Sequence, residues 1–247
     1  MKVTQIIMGM PITVEILDNE AETVIGSVFE YFKAVDEQFS TYKPDSEISK
    51  INAGLPKSKW TKNMRLVIDL CEETKKLTNG YFDINYHGKL DPSGLVKGWS
   101  VNIAANMLKE KGIKNFFIEA GGDTQVNGKN ADGKPWVIGI RNPFEIDEII
   151  KVVQLVDSGM ATSGTYIRGQ HIYNPHNIDQ PIDEVKSLTV IGVNVYEADR
   201  FATAAFAMGK KGINFIEQMP ALEGYMVDSE KVATFTSGFR RYVINNA

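Results

Sequence analysis

With one cysteine, Cys71, the chain can form no internal disulfide. Histidine is nearly as scarce: His87, His171 and His176 are the three present. A general base working near neutral pH must therefore be one of these or a carboxylate with a raised pKa. No apolar run approaches the ~20 residues that a membrane-spanning helix needs. The opening Met1-Lys2-Val3-Thr4-Gln5 lacks the apolar stretch of a secretory signal. The expectation is a cytoplasmic protein, or an extracytoplasmic one whose leader has been removed. Lys and Arg number 27 against 31 Asp and Glu, giving a formal charge of -4 with no basic block. Nucleic acid and anionic membrane reward a clustered positive surface, so neither is an expected partner. Repeats, low-complexity tracts and Pro/Ser-rich linkers are also missing, and the expectation is a single domain over residues 1–247.

What is present is an ordinary globular composition, 43% hydrophobic and 23% charged. A chain of this length can bury a sizeable core without a disulfide or a structural metal. Cys71 falls in step with Met64, Val67 and Ile68, so it reads as a small core residue rather than a reactive thiol.

The periodicities place elements along the chain. Val3 to Leu17 alternates as a strand or hairpin broken near Gly9 and Pro11. Val24, Val28, Phe32, Val35 and Phe39 form one apolar stripe of a helix. A second helix runs from Thr61 to Thr78 and stops at Asn79-Gly80. A third follows Gly98 through Val101, Ala104, Ala105 and Leu108 to Gly112. Strands are expected at Ile113–Glu119 and Trp136–Ile140, flanking an Asn127-Gly128 turn. Others are expected at Ile150–Val156 and Leu188–Val195. A helix over Ala198–Met208 ends at Gly209, a shorter one covers Ile213–Met219, and strands follow at Tyr225–Val227, Val232–Phe235 and Phe239–Val243. Helices and strands mix without strict alternation, which indicates α+β: mixed, largely antiparallel sheets packed with helices.

Three loops combine glycine, hydroxyl and charge: Asp91-Pro92-Ser93-Gly94-Leu95-Val96-Lys97-Gly98, Ala120-Gly121-Gly122-Asp123, and Ala161-Thr162-Ser163-Gly164-Thr165-Tyr166. Glycines let a backbone approach an anion, helix N-termini point free N–H groups at it, and Lys97 adds a point charge. Each also has a plain reading, as a strand connection or a helix start. None has the spacing of a Walker loop or a Rossmann fingerprint. Asp199 and Thr203 share one face of the Ala198–Met208 helix. Together they offer two oxygens to a hard cation, although an Asp in a first turn and a Thr bonded to the preceding turn explain the same pair. Ser46, three residues before Ser49, reads as helix capping. Tyr42 suits either ring stacking or half-buried packing. His171 and His176 bracket Ile172-Tyr173-Asn174-Pro175, either as acid/base candidates or as surface residues.

Taken in order, these pieces resemble the FAD:protein FMN transferases, the ApbE-type flavin transferases. The resemblance runs through Met8-Gly9, Phe39-Ser40-Thr41-Tyr42 to Asn52, Gly80-Tyr81-Phe82-Asp83 and Asp91 to Gly98. It continues through Gly121-Gly122-Asp123, Ala161 to Gly164, His171 to Pro175, and Ala198-Asp199 with Thr203. It implies an ApbE-like fold and transfer of the FMN moiety of FAD to a Thr or Ser hydroxyl of an acceptor protein, releasing AMP. A metal-dependent FAD pyrophosphatase and a non-catalytic flavin binder are the alternatives.

The resemblance further implies Mg²⁺, with Ca²⁺ or Mn²⁺ as alternatives, held by Asp199, Thr203 and the carbonyl of Val96. Met8, Tyr42, Tyr81, Phe82, Asp83, Ser93, Lys97, Thr162, Ser163, Gly164, His171 and Ile172 would line the FAD site. His171 and Asp199 would be the catalytic pair. The implied partners are FAD and an acceptor flavoprotein, with a membrane reached only through that acceptor; oligomeric state leaves no mark on the sequence. Met8-Gly9-Met10 departs from the usual Met-Gly-Thr, Asp91-Pro92-Ser93-Gly94 from Asp-Leu-Gly-Gly, and Tyr173-Asn174-Pro175-His176-Asn177 from Ile-Asp-Pro with Thr-Gly. The lipobox cysteine of many relatives is absent.

Overall fold

A computed structural model describes residues 1–19, 21–165 and 172–244. The chain opens with β1 (Lys2–Ile7) and β2 (Met10–Ile16), then α1 (Ala21–Phe39), α2 (Glu47–Asn52) and α3 (Lys62–Leu77). The short strands β3 (Asn85–Tyr86) and β4 (Lys89–Leu90) lead to α4 (Ser93–Glu110). Next come β5 (Phe116–Ala120), β6 (Asp123–Asn127), β7 (Trp136–Arg141), β8 (Ile149–Leu155), β9 (Gly159–Gly164) and β10 (Val185–Gly192). The chain finishes with α5 (Val195–Ala207), α6 (Gly212–Gln218), β11 (Glu223–Asp228) and β12 (Ala233–Phe235).

Among the described residues the main sheet has the order β1-β2-β5-β6-β9-β10-β11-β12. Its pairings are antiparallel throughout. The hairpins β3–β4 and β7–β8 stand apart from it. This is the α+β, largely antiparallel architecture expected from the sequence.

Strand alternation decides which layer each face meets. Ala161, Leu188, Val190 and Met226 face α5 and α6, meeting Phe201 and Ile213. Their neighbours Met160, Ile191, Tyr225 and Val227 point the other way, onto Trp136 and Val153 of the β7–β8 hairpin. Toward the other end of the sheet, Ile12, Val14, Phe116 and Ile118 pack under α1 and α4. A fourth cluster joins α1, α3 and α4 and takes in Cys71.

Several elements form as their sequences suggest. All five stripe residues of α1 are buried. Thr61 caps α3 by accepting from the Met64 N–H, and Asn79 and Gly80 leave the helix with φ of 51° and 83°. Ser46 caps α2 through the Ser49 N–H. The β1–β2 turn places Met8 and Gly9 at φ 54° and 70°, a two-residue turn that fits the twist of a hairpin.

Other expectations are corrected. The third helix begins at Ser93, not after Gly98, so Gly94 and Gly98 lie inside it. The stretch Ala161–Gly164 is strand β9, not a loop. The strand that follows β5 is the polar β6, joined to it across Gly121-Gly122 and pairing Ala120 with Asp123; Asn127-Gly128 lies at its far end. Residues Phe239–Tyr242 form a 3-10 turn rather than a strand, and Val243 makes a single bridge to Val153.

Candidate functional site

Helix α5 is held from three sides. Asn194 caps it by accepting from the Glu197 N–H at 2.9 Å, which satisfies one of the free donors of the first turn. The buried Arg200 donates to Glu197 at 2.8 Å and to Thr74 of α3 at 3.1 Å. Its guanidinium also lies over the rings of Tyr196 and Phe201, 4.7 and 4.6 Å from their centroids. From below, Gln125 of β6 accepts from the Val195 N–H at 2.8 Å. Its amide nitrogen donates to the carbonyls of Val126 and Ser158. With α5 fixed, Asp199 and Thr203 stand one turn apart on one face.

Helix α4 presses against that face. The Gly98 N–H donates to Asp199 Oδ2 at 2.8 Å. A Cβ at residue 98 would lie 2.6 Å from Asp199 Cβ and 2.9 Å from the Val195 carbonyl oxygen. Glycine is what lets the two helices meet here. One turn earlier, Thr203 Oγ1 reaches the Gly94 carbonyl at 3.4 Å. The start of α4 is set by Asp91, which accepts from the Ser93 N–H at 3.0 Å.

Between the helices lies a charge cluster. Asp123, at the head of β6, is fully buried. Its Oδ1 accepts from the Thr162 N–H at 3.2 Å. Its Oδ2 sits 2.6 Å from Lys97 Nζ, an ion pair without the alignment of a hydrogen bond. Lys97 Nζ is 3.7 Å from Asp199 Oδ1. Burial, then the neighbouring Asp123 carboxylate, pushes the Asp199 carboxyl up to about 8, against the opposite pull of Lys97 and the Gly98 N–H.

Lys97 and Asp199 open on a cavity of ≈ 680 Å³, within the size range of small-molecule sites. Its walls bring together Asp199, Thr203, Lys97 and Ser93 from the two helices, and Thr162, Ser163 and Gly164 from β9. Tyr81, Phe82, Asp83 and Ile172, also expected there, line it as well. Tyr86, Asp91 and Tyr173, not assigned to the FAD site from the sequence, also line it. Tyr173 donates its hydroxyl to the Asp83 carbonyl at 2.7 Å and packs on Tyr86 with ring centroids 4.6 Å apart.

Two residues expected at the FAD site, Tyr42 and Met8, do not line the cavity. Tyr42 is 95% exposed. Met8 is half-buried and packs against the cores beneath α1 and α4. Val96, expected to act through its carbonyl, turns its side chain into the core shared by α1, α3 and α4. His171 lies outside the described residues. Asp123 is the partner that sequence reasoning left unassigned; its signal was a charged residue directly after Gly-Gly in a stretch too polar to look buried.

As a donor set the cluster is all oxygen: carboxylates, a hydroxyl and a helix carbonyl, the preference of hard cations such as Mg²⁺. Among the described residues no three His, Cys, Asp or Glu side chains group as metal ligands. Such a cation would therefore take few protein ligands and complete its shell elsewhere. No helix among them is long and apolar enough to cross a membrane.

The profile of the ApbE family matches residues 8–88 and 85–226. A FAD:protein FMN transferase of Vibrio cholerae is 31% identical over 164 residues, 62% of this chain and 47% of that protein. One from Haemophilus influenzae is 30% identical over 169 residues, 62% of this chain and 48% of that protein. The match thus spans about half the length of these curated relatives. Among solved structures, the flavin transferase ApbE from Vibrio cholerae superposes with a TM-score of 0.85 at 22% identity, covering 98% of both chains. The ApbE protein of Thermotoga maritima gives 0.86 at 22% identity over 99% of both. These likenesses establish the fold.

Proposed function

The chain belongs to the ApbE family, and from that premise we propose that it transfers the FMN moiety of FAD to a threonine or serine hydroxyl of an acceptor protein. AMP is the leaving product. The observation that carries the reading is the convergence of Asp199, Thr203, Lys97 and the β9 segment Thr162–Gly164 on one cavity. The relatives named FAD:protein FMN transferase support the same assignment.

The site residues fit a small hard cation. Two buried carboxyl groups face one ammonium beside oxygen donors only, a set suited to a hard cation. In this reading Asp199 and Thr203 hold Mg²⁺ with the Val96 carbonyl, Ca²⁺ or Mn²⁺ being the alternatives. When bound, the cation neutralises charge on the diphosphate.

The remaining work falls to the chain itself. Phosphoryl transfer asks mainly for in-line placement and charge stabilisation. Lys97 supplies a second positive charge, and the N-terminal turn of α4, carrying Ser93 and Gly94 in the cavity wall, favours an anion. Tyr81, Phe82, Tyr86 and Tyr173 offer aromatic surface for the flat rings of the dinucleotide. The acceptor oxygen attacks the FMN-side phosphorus, and the bridging P–O bond breaks with its electrons leaving on AMP. The hydroxyl proton passes to a base, assigned here to His171.

Incubation with FAD, with and without Mg²⁺, and with an acceptor bearing a threonine tests the reading by intact mass. A Mg²⁺-dependent FMN increment on the acceptor is the expected result. AMP release without that increment would instead make the chain a pyrophosphatase, and neither product would make it a flavin binder.

A further inference from the structure

Asn52 ends α2, and both polar atoms of its side chain bond one residue of another element, Leu90 of β4. Its Nδ2 donates to the Leu90 carbonyl at 2.9 Å, and its Oδ1 accepts from the Leu90 N–H at 2.8 Å. We propose that Asn52 is a positioning residue: it ties the β3–β4 hairpin to α2 and so keeps Tyr86 in the cavity wall, against a ring of bound FAD. The last step rests on the transferase reading above.

The geometry of the hairpin explains why Leu90 needs this partner. His87 and Gly88, at φ 48° and 77°, make a two-residue turn that sets Tyr86 opposite Lys89 and Asn85 opposite Leu90. The Asp91 N–H then donates back to the Ile84 carbonyl at 2.8 Å. Bonded and non-bonded pairs alternate in an antiparallel ladder, so the N–H and C=O of Leu90 turn away from β3. The Asn52 amide meets them with one donor and one acceptor, as a neighbouring strand would.

Two strands of two residues do not hold their place alone. The buried Ile84 roots the hairpin in the core beside α1, α3 and α4. Beyond that root, Asn52 ties one flank. The Tyr173 hydroxyl ties the other, donating to the Asp83 and Asn85 carbonyls at 2.7 and 3.3 Å. Tyr86 lies against Tyr173 and lines the cavity with Asp91. Helix α2 is a firm support, because Ser46 caps it and its Glu47 accepts from the Thr61 N–H at 2.6 Å. Water can satisfy the freed groups of Leu90 when Asn52 is lost, but it cannot tie the hairpin to α2.

The test compares wild type, N52L, Y86A and the double variant. FAD is titrated calorimetrically in the presence of a chelator, and acceptor labelling with Mg²⁺ gives KM and kcat. N52L should weaken FAD binding by about tenfold, within the loss that displaced positioning groups cause, and should raise the KM for FAD equally. Its kcat should stay within about threefold, because lost uniform binding raises KM and spares kcat. Mg²⁺ binding without FAD should be unchanged. Y86A should weaken FAD binding by a similar factor. Adding N52L to Y86A should cost less than about twofold more, since coupled residues are not additive.

Equal costs of N52L in both backgrounds would overturn the proposal, as would FAD binding that either single variant leaves unchanged. A fall in kcat or in Mg²⁺ affinity that matches the loss of FAD affinity would overturn it too, marking a structural role only. If N52L fails to fold, N52D takes its place: it keeps an acceptor for the Leu90 N–H and sets a carboxylate against the Leu90 carbonyl. It should weaken FAD binding likewise, and wild-type affinity in N52D would contradict the proposal. A wild type that binds FAD yet labels no acceptor would sink the transferase reading alone, and the calorimetric comparison would still decide the role of Asn52.

Discussion

The Gly98 N–H and Asp199 Oδ2 are hydrogen-bonded at 2.8 Å across the α4–α5 contact, and a Cβ on residue 98 would fall 2.6 Å from Asp199 Cβ. Gly98→Ala therefore cannot be absorbed by rotating a flexible side chain, because the Val195 carbonyl stands 2.9 Å away on the same side. Overpacking of this kind costs about 1–3 kcal/mol. Urea unfolding should show that loss, and FMN transfer should fall further than stability alone explains.

Gln125→Leu should be as damaging although the residue touches no cavity wall. It strands the Val195 N–H and removes the donor to Ser158 and Val126, all buried. Each such unsatisfied group costs about 1–3 kcal/mol. Denaturant midpoints will measure the loss, with Gln125→Glu as the variant that keeps an acceptor for Val195.

Cys71 is 1% exposed, and burial pushes its thiol well above the ordinary range. The thiolate is the reactive form. At pH 8 a disulfide reagent should therefore modify Cys71 only as fast as the protein unfolds. Prompt modification of native protein would contradict the placement of α3.

Asp228 accepts from the N–H groups of Glu230 and Val232 and pairs with Lys210 at 2.8 Å. The Lys210 ammonium, first, and these N–H groups hold its carboxyl below the usual range. A lowered folded pKa means that the stability it contributes is present above the unfolded value of about 3.9 and is lost as pH falls through the folded value. Asp228→Asn should thus flatten the acid limb of the stability–pH curve. Lys210 lies on the surface, so the effect will be modest.

How much of this was legible depended on which rule governed each residue. The stripe of α1 and the Thr61 and Asn79-Gly80 ends of α3 obey local periodicity and capping, and both helices were readable from them. Gly94 and Gly98 read as loop because propensity treats glycine as a breaker; a contact with α5, invisible locally, makes them helical. Strand β6 was missed because Asp123-Thr124-Gln125 is polar, yet all three side chains are buried and hold other elements in place. The Asp199–Thr203 spacing was readable, whereas the Lys97–Asp123 pair depends on β6 and α4 meeting in space.

The account turns on Asp199, and the acceptor's intact mass after incubation with FAD, Mg²⁺ and either wild type or Asp199→Asn is the most direct measurement. The wild type should add FMN. The variant, folded by circular dichroism, should label at a rate lower by about 100-fold or more, beyond what the loss of an outer-shell partner usually causes. Labelling by Asp199→Asn at the wild-type rate would contradict the cation site and the mechanism built on it.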